Sequence, residues 1–594
     1  MRRLIFVIIA LAVAVFAGWY YWKVSLQISS APVSTLLPQG TIFLAHLPDF
    51  NRTRDDWHHC DIYQLYREPA VQDFLRPALA GLSNLPKTNA ASHTLQEIEQ
   101  LDPKHAFFAL TTLDNNNPRF VGGFRFRGSE EEAERVISRW RSTFQEQTTG
   151  AKREKLQYQR HEIELVTAPP FTLATTYDRP WFFAATDLTG LKALLDRADH
   201  RAKNPEGTLD DDGAYRAAVA HRPSNYAAFF YLQPKIFSDR LAALRATVRS
   251  SPAPGESTML EKMRCIAGST RFENGKIHDV FFLGMPRLER GITLTRSSVS
   301  LGTKETFFYL SMLLNLGERI DILNQAAAFA GAKIFQALAD SGVAADDWKA
   351  AFGLELGSLA AWPSSAQWPS LLLTLPVMDA AKAGKIVETL IGADANATWT
   401  HAEKDGIRYF SKQSAASLVA ITPTIGLSDR ILIAGFNPVS VEEAMKRSGA
   451  ASSELSGSQT YKAASRLLPA PTNFFAYVDT GLLYSRLDAS LRPMLLMAAA
   501  FMPAVAGSVD PTKVPSPEII TKHLSPIVSS QRYDRDGYVA ESVGPITLDQ
   551  SAIGLAILSG LGAGARQKAG GGVTGWGSTA TATPRPTPSP SPTP

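Results

Sequence analysis

The sequence predicts an α+β fold made of a tandem duplication of an antiparallel-sheet domain with flanking helices. The first observation is that residues 215–241 recur without a gap as residues 461–487, with eight of 27 positions identical. The second is that the match extends upstream, where residues 120–136 lie over residues 370–386. The third is the local pattern, in which short turns join apolar strands and helices occur singly. This pattern favours antiparallel strand pairing over a parallel doubly wound sheet.

The identical positions of the repeated segment are mostly aromatic or small. We interpret them as core and helix-surface packing positions, and the alternative is a ligand contact common to both copies. The identical pairs are Tyr215/Tyr461, Ala217/Ala463, Ala218/Ala464, Pro223/Pro469, Phe229/Phe475, Tyr231/Tyr477, Arg240/Arg486 and Leu241/Leu487.

The repeat divides the 594 residues into four parts. We expect an anchor or signal segment at 1–23, a first α+β repeat at 35–295 and a second at 300–550. Each repeat is large enough to bury its own core. The remaining part, 565–594, is rich in Gly, Pro, Ser and Thr, a composition that predicts a disordered tail.

Several elements can be placed from pattern alone. Residues 41–47 form a predicted buried strand whose counterpart in the second repeat is 306–312. Residues 61–79 have helical periodicity interrupted near Pro69, which predicts two short amphipathic helices. Asn274-Gly275 predicts a tight hairpin turn at the end of the first repeat. We expect the helices to cover one side of the sheet.

The N-terminal segment predicts membrane attachment. Residues 4–22 are 19 uncharged residues, which as a helix span about 28 Å, enough to cross the hydrocarbon core. Arg2 and Arg3 precede this run, and aromatic residues end it, as at a membrane interface. These features predict a single-pass inner-membrane protein with a cytoplasmic N-terminus and a periplasmic or other extracytoplasmic body. The alternative is a signal peptide cleaved after residues 15–17, which also exports the body.

Charge argues against nucleic-acid binding. Lys and Arg total 60 against 56 Asp and Glu, a net charge of +4, whereas nucleic-acid binders concentrate basic residues in one footprint. The most basic zone, residues 119–160, is interleaved with glutamates and is typical of a solvated helix face.

Cys60 and Cys265 are the two cysteines of the chain. In an oxidising compartment they could form a disulfide, and the alternative is two unpaired buried thiols. The sequence contains no C-x-x-C motif, so nothing supports a redox motif or structural zinc site.

His58, His59 and Asp61 are the metal-ligand candidates. Adjacent residues diverge on a helix or strand, so this cluster is more typical of a surface loop than of a metal site. The run Asp210–Asp212 lacks calcium-loop spacing and is better explained as helix capping.

No histidine is common to both repeats, which argues against a shared acid-base site. His105 lies over Glu355, His161 over about Gly406, His221 over Leu467 and His278 over about Ala540. The hydrolase, metalloprotease and P-loop motifs are also absent from the sequence. We therefore predict no catalytic residues and no cofactor, and we favour a non-enzymatic role.

Three stretches, at 36–50 (LLPQGTIFLAHLPDF), 67–79 (REPAVQDFLRPAL) and 352–362 (FGLELGSLAAW), resemble an uncharacterised bacterial domain-of-unknown-function family of membrane-anchored envelope proteins. The resemblance implies a bacterial envelope setting and transfers no catalytic residue. We expect a non-catalytic binding or scaffold protein whose partner is an envelope protein, polymer or lipid. The alternatives are a carrier of lipid or another apolar ligand between two sheets, and an envelope hydrolase.

Overall fold

The structure is a computed structural model in which the described residues up to Thr547 form one compact unit, and the described residues after it belong to a second. In the second unit the described residues form a single helical turn at 548–551. The described residues are 32–83, 101, 103–114, 117–126, 130–146, 150–168, 171–178, 181–199, 207–236, 262–287, 292–314, 343–393, 398–412, 421–450, 452–501 and 511–551.

All strands of the described residues belong to one antiparallel sheet of twenty strands, which confirms the α+β class. The first ten strands are β1 Phe43–Leu47, β2 Pro103–Asp114, β3 Asn117–Phe126, β4 Lys152–Tyr158, β5 His161–Ala168, β6 Phe171–Asp178, β7 Trp181–Ala185, β8 Ala228–Leu232, β9 Cys265–Glu273 and β10 Lys276–Gly284. The second ten are β11 Thr306–Leu313, β12 Glu355–Ala361, β13 Ser370–Pro376, β14 Trp399–Lys404, β15 Ile407–Lys412, β16 Thr424–Leu427, β17 Ile431–Gly435, β18 Phe474–Val478, β19 Ile527–Asp534 and β20 Gly537–Gly544.

The two halves of the sheet have the same strand order. In the first half the order is β4-β5-β6-β7-β3-β2-β1-β8-β9-β10. In the second half it is β14-β15-β16-β17-β13-β12-β11-β18-β19-β20. Each strand of the first half therefore has a counterpart ten strands later. The outermost strands, β4 and β14, are mostly exposed and carry charged residues, as edge strands that resist further pairing do.

The halves join through their last strands, β10 and β20, which pair antiparallel over seven residues. In this register Val280 pairs with Glu541, its own counterpart at the spacing of 261 residues. Ile277 pairs with Gly544, and Leu283 pairs with Tyr538, which is the counterpart of Ile277. The register is thus symmetric about the Val280–Glu541 pair, and we call the β10–β20 pairing the seam.

Helices pack on both faces of the sheet, so the expectation of one covered side is wrong. In β7, Phe183 belongs to the core beneath one set of helices, while the adjacent Phe182 belongs to a separate core on the other face. In β17, Ile433 and Leu432 divide in the same way. Consecutive side chains of a strand point to opposite faces, and in these two strands the apolar side chains of both faces pack against helices.

The helices are named in chain order. They are α1 Val33–Leu36, α2 Phe50–His58, α3 Asp61–Arg67, α4 Pro69–Ser83, α5 Glu130–Glu146, α6 Leu188–Ala198, α7 Gly213–Ala220, α8 Ala345–Ala351, α9 Ala380–Ala393, α10 Pro438–Arg447, α11 Glu454–Gly457, α12 Gln459–Ser465, α13 Thr480–Phe501 and α14 Pro517–Thr521. The predicted interruption near Pro69 is confirmed, because it separates α3 from α4.

The repeated aromatic positions are core positions in both halves. Tyr215 of α7 meets Tyr231 edge-on with ring centroids 5.2 Å apart, and Tyr461 of α12 meets Tyr477 at 5.1 Å. All four side chains are buried. The interpretation of these residues as packing positions is confirmed. In each half, the equivalent aromatic pair holds a helix against the sheet.

The predicted anchor at 4–22 and the tail at 565–594 lie outside the described residues. Among the helices that the structure describes, none is both long and apolar enough to cross a membrane.

Candidate functional site

The residues predicted as metal candidates do not converge. His58 is in the last turn of α2 and its ring lies against Tyr63, with centroids 4.5 Å apart. The exposed His59 caps that helix, and its Nδ1 lies 2.7 Å from the carbonyl oxygen of Asp55. Asp61 opens α3, and its backbone N–H donates to Gly275 at the β9–β10 turn. The three side chains thus face different neighbours, so the geometry offers no common ligand position.

Of the aspartates before α7, Asp212 caps this helix as expected, and Asp211 caps the short 3-10 turn that precedes it. The Asp212 carboxylate accepts from the backbone N–H of Tyr215 at 2.7 Å, and the Tyr231 hydroxyl donates to the same oxygen at 3.1 Å. Asp211 forms a capping box with Thr208, whose backbone N–H donates to its carboxylate at 2.7 Å. These bonds account for the acidic run.

Cys60 and Cys265 are both free and buried, so of the two alternatives the structure has the unpaired thiols and not the disulfide. Cys60 precedes α3 beside the β9–β10 turn, whereas Cys265 begins β9 at the open end of the hairpin. A strand of this length separates the two ends by about 25 Å, while a disulfide needs Cα atoms within about 7 Å. Burial raises the pKa of both thiols to about 11, which leaves them protonated at neutral pH.

An apolar pocket of about 410 Å³ opens on the first half of the sheet. Ala45 pairs with Phe108 on one side and with Phe230 on the other, and Gly268 lies between Phe230 and Phe281. Paired residues share a face of the sheet, so these side chains form one apolar row. Phe108 is 47% exposed, which makes it the accessible end of this row, here called the aromatic row.

Gly268 makes the aromatic row possible. The Phe230 ring covers the Cα of Gly268, and a Cβ there would collide with this ring and approach Phe281 to 3.0 Å. The Phe230 and Phe281 rings meet edge-on with centroids 5.8 Å apart. An aromatic ring covering a strand glycine compensates for the side chain that glycine lacks.

The second half does not repeat the aromatic row. The positions that correspond to Phe108, Phe230 and Phe281 hold Ser358, Ala476 and Ser542. All three of these small residues are buried. Among the described residues, the same face is therefore aromatic and open in one half, but lined by small, buried residues in the other.

Four polar side chains cross the seam as one network. Arg271 of β9 donates from Nε to His278 Nδ1 at 3.1 Å, and His278 Nε2 lies 3.1 Å from Glu541 Oε2 on β20. Arg532 of β19 donates to Glu541 Oε1 at 2.5 Å. A guanidinium can only donate, so His278 accepts at Nδ1 and donates from Nε2. Burial opposes ionisation of Glu541, but the hydrogen bonds from His278 and Arg532 hold its pKa below the ordinary value.

Beside this network lies a second, polar pocket of about 530 Å³. One wall comes from the end of α7, where the His221 ring stacks on Phe282 at 4.7 Å. The opposite wall is the β19–β20 turn, including Asp534 and Arg535. The pocket thus combines residues of both halves, and its lining includes both cationic side chains and carboxylates.

Two half-buried histidines form a pair near the end of β1 and the start of β2. His46 and His105 are joined through their Nε2 atoms, and the Tyr226 hydroxyl lies 2.7 Å from His46 Nδ1. Burial, with the neighbouring His105 and Arg222, lowers the pKa of His46 to about 3. Burial, with Arg125, lowers the pKa of His105 to about 4. Both imidazoles are therefore neutral at pH 7.

The second half replaces this histidine pair with a different hydrogen bond. Ser311 and Glu355 occupy the positions of His46 and His105, and Ser311 Oγ donates to Glu355 Oε1 at 3.0 Å. Glu355 also accepts from the Thr295 hydroxyl at 2.6 Å. Each half therefore has a polar contact at this corner, and the two contacts are made by different residues.

Sequence reasoning listed His105, His161 and His278 separately and missed their partners. Strand register corrects two alignments, since His161 corresponds to Ile407 and His278 to Val539. The partners come from strands and helix ends distant in sequence, so spacing gives no sign of them. For His161 and His278, a usable signal was that an ionisable group stands where the other repeat has an apolar residue.

No protein-family model matches the chain, and no curated protein matches it. Among solved structures, crystal form III of TP0453 is 7% identical, with a TM-score of 0.24 over 43% of this chain and 80% of that chain. Crystal form I of the same protein gives 7% identity and a TM-score of 0.22 over 43% and 79% of the two chains. Similarity at this level supports no conclusion about fold or function.

Proposed function

We propose that this chain is a non-catalytic binding protein of the bacterial envelope, anchored in the inner membrane by residues 4–22 with its body outside the cytoplasm. The uncharged N-terminal run after two arginines supports the anchor. The equal strand order of the two halves supports an origin by tandem duplication. The envelope setting rests on the resemblance of residues 36–50, 67–79 and 352–362 to anchored envelope proteins.

The observation that carries the binding role is the aromatic row with its open pocket. A volume of about 410 Å³ lies within the range of about 300–1,000 Å³ typical of small-molecule sites. The row offers phenylalanine rings and a methyl group, so its ligand is apolar, such as the acyl chain of a lipid. In this proposal the ligand lies on one face of a continuous sheet, whereas the sequence-based alternative placed it between two sheets.

Native mass spectrometry of the full-length chain extracted in detergent tests the ligand. We expect co-purified lipid with the wild-type protein and its loss in Phe108→Ser, which installs the residue found at Ser358 in the second half. Phe436→Ser is the matched control, because Phe436 is 46% exposed against 47% for Phe108 and is not a lining residue of the pocket.

Absence of lipid from the wild-type protein, or equal lipid loss in the two variants, would reject the apolar-ligand role. In that case, pull-down from envelope extract tests the scaffold role, which requires that an envelope protein or polymer is captured. Cell fractionation tests the location separately: the intact chain should be in the inner membrane, with its body digested by protease added to spheroplasts. A protected body would contradict the proposed topology.

A further inference from the structure

One cluster of metal-ligand side chains, of which His161 is buried and Asp178 and Asp199 are partly buried, lies apart from both pockets. His161 begins β5, Asp178 ends β6, and Asp199 caps the C-terminus of α6. One ligand atom from each of the three lies within 4.8 Å of the others. His161 Nε2 is 3.0 Å from Asp199 Oδ2, and the two side chains are only 2% and 4% exposed. This separation suits two ligands on the same small cation.

The cluster already holds one cation, the Arg160 guanidinium. Arg160 Nη2 lies 2.6 Å from Asp199 Oδ1 and 3.4 Å from Asp178 Oδ1. The Arg160 guanidinium therefore contacts both carboxylates. Arg160 is 53% exposed and lies in the β4–β5 turn, so its side chain can withdraw into solvent without unpacking the core.

The second half shows that the fold does not need this cluster. The corresponding positions hold Gly406 for Arg160, Ile407 for His161, Ser428 for Asp178 and Gly449 for Asp199. The same turn, strands and helix form there without a charged group at any of these positions. Buried charges are costly, so their presence in one half alone points to a role other than folding.

We propose that His161, Asp178 and Asp199 form a binding site for a divalent transition metal ion of the Zn²⁺ class, with Arg160 displaced when the ion binds. One imidazole nitrogen and two carboxylate oxygens are ligands that suit Zn²⁺, whereas Ca²⁺ and Mg²⁺ take oxygen ligands. The helix C-terminus that carries Asp199 adds negative partial charge, which further favours a cation. This site is independent of the apolar pocket.

Isothermal titration of the full-length chain in detergent with ZnCl₂ tests this site. We expect the wild-type protein to bind one ion, and Arg160→Ala to bind it about tenfold tighter because the competing cation is removed. His161→Ile should lose at least about tenfold in affinity because a ligand is removed. This variant installs the residue that the second half tolerates at Ile407, and its far-UV circular dichroism should match the wild type.

His59→Gln is the control for adventitious binding, and it should leave the Zn²⁺ affinity unchanged. Failure of the wild-type protein to bind Zn²⁺ overturns the proposal, whatever the variants do. Unchanged binding in His161→Ile also overturns it. If Arg160→Ala weakens binding, the arginine is not a competitor and the site as described is rejected.

Discussion

At the scale of single residues, the chain differs from one half to the other at positions that the fold treats as equivalent. His46 and His105 of the first half correspond to Ser311 and Glu355 of the second half. Phe108 corresponds to Ser358. Each substitution keeps the backbone geometry and changes only the chemistry. Comparison of the halves therefore separates residues that the fold needs from residues available for function.

The histidine pair predicts a dependence of stability on pH. The folded-state pKa values, about 3 for His46 and about 4 for His105, lie below the unfolded value of about 6.5. The unfolded chain therefore binds more protons below pH 6.5, and stability falls as pH falls through this window towards pH 3. The two imidazoles are hydrogen-bonded to each other, so the loss belongs to the pair, and at pH 5 it is on the order of a few kcal/mol.

Urea unfolding at pH 7.5 and pH 5 measures this loss. His46→Gln combined with His105→Gln should make the midpoint less dependent on pH, whereas His59→Gln, at an exposed position, should behave like the wild type. Carboxylates titrate equally in all three proteins, so the difference isolates the pair. If the double variant has the same pH dependence as the wild type, the claim that burial lowers the pKa values of the two imidazoles is wrong.

At the scale of elements, α7 and α12 are the same helix built twice with different N-caps. Asp212 caps α7 through its side chain and also accepts from Tyr231. Ser458 occupies the equivalent place before α12, and within the described residues its side chain makes no capping hydrogen bond. Substitution of each N-cap residue therefore compares a helix that has a side-chain cap with an equivalent helix that has none.

Asp212→Ala should lower the free energy of unfolding by about 1–2 kcal/mol, since it removes a cap and leaves the buried Tyr231 hydroxyl without this acceptor. Ser458→Ala should change it by less than about 0.5 kcal/mol, because no side-chain cap is removed. Chemical denaturation of both variants at pH 7 checks the difference. Equal effects of the two substitutions would contradict the capping account.

At the scale of the whole molecule, the seam makes one unit from two repeats. Seven backbone pairs join β10 to β20, and the network from Arg271 to Arg532 crosses the same line. Near the surface, Glu68 lies between α3 and α4 and contacts Lys522 at 2.7 Å and His523 at 2.8 Å. A separated half would expose a long unpaired edge strand.

A protease site inserted at 288–291 should therefore cut the chain without separating its halves. We expect the nicked protein to elute from gel filtration as one species at 0.5 M NaCl (about three times physiological salt), because backbone pairing is not screened as surface charges are. Glu68→Gln should not alter this result, since ion pairs at the protein surface contribute little to stability and are screened by salt. Elution as two separate fragments would contradict the proposed role of the seam.

The sequence by itself determined the local elements and the correspondence of the halves. Tyr215 and Tyr461, the break at Pro69 and the Asn274-Gly275 turn act over short distances or recur at a fixed spacing, so pattern is sufficient to find them. Only the tertiary structure decided that both faces are covered, that Cys60 and Cys265 lie apart, and that the halves share one sheet. These features depend on strand pairing between distant segments, and local periodicity does not encode which strands become neighbours. For the same reason, His161, Asp178 and Asp199 become a cluster only when β5, β6 and the end of α6 meet.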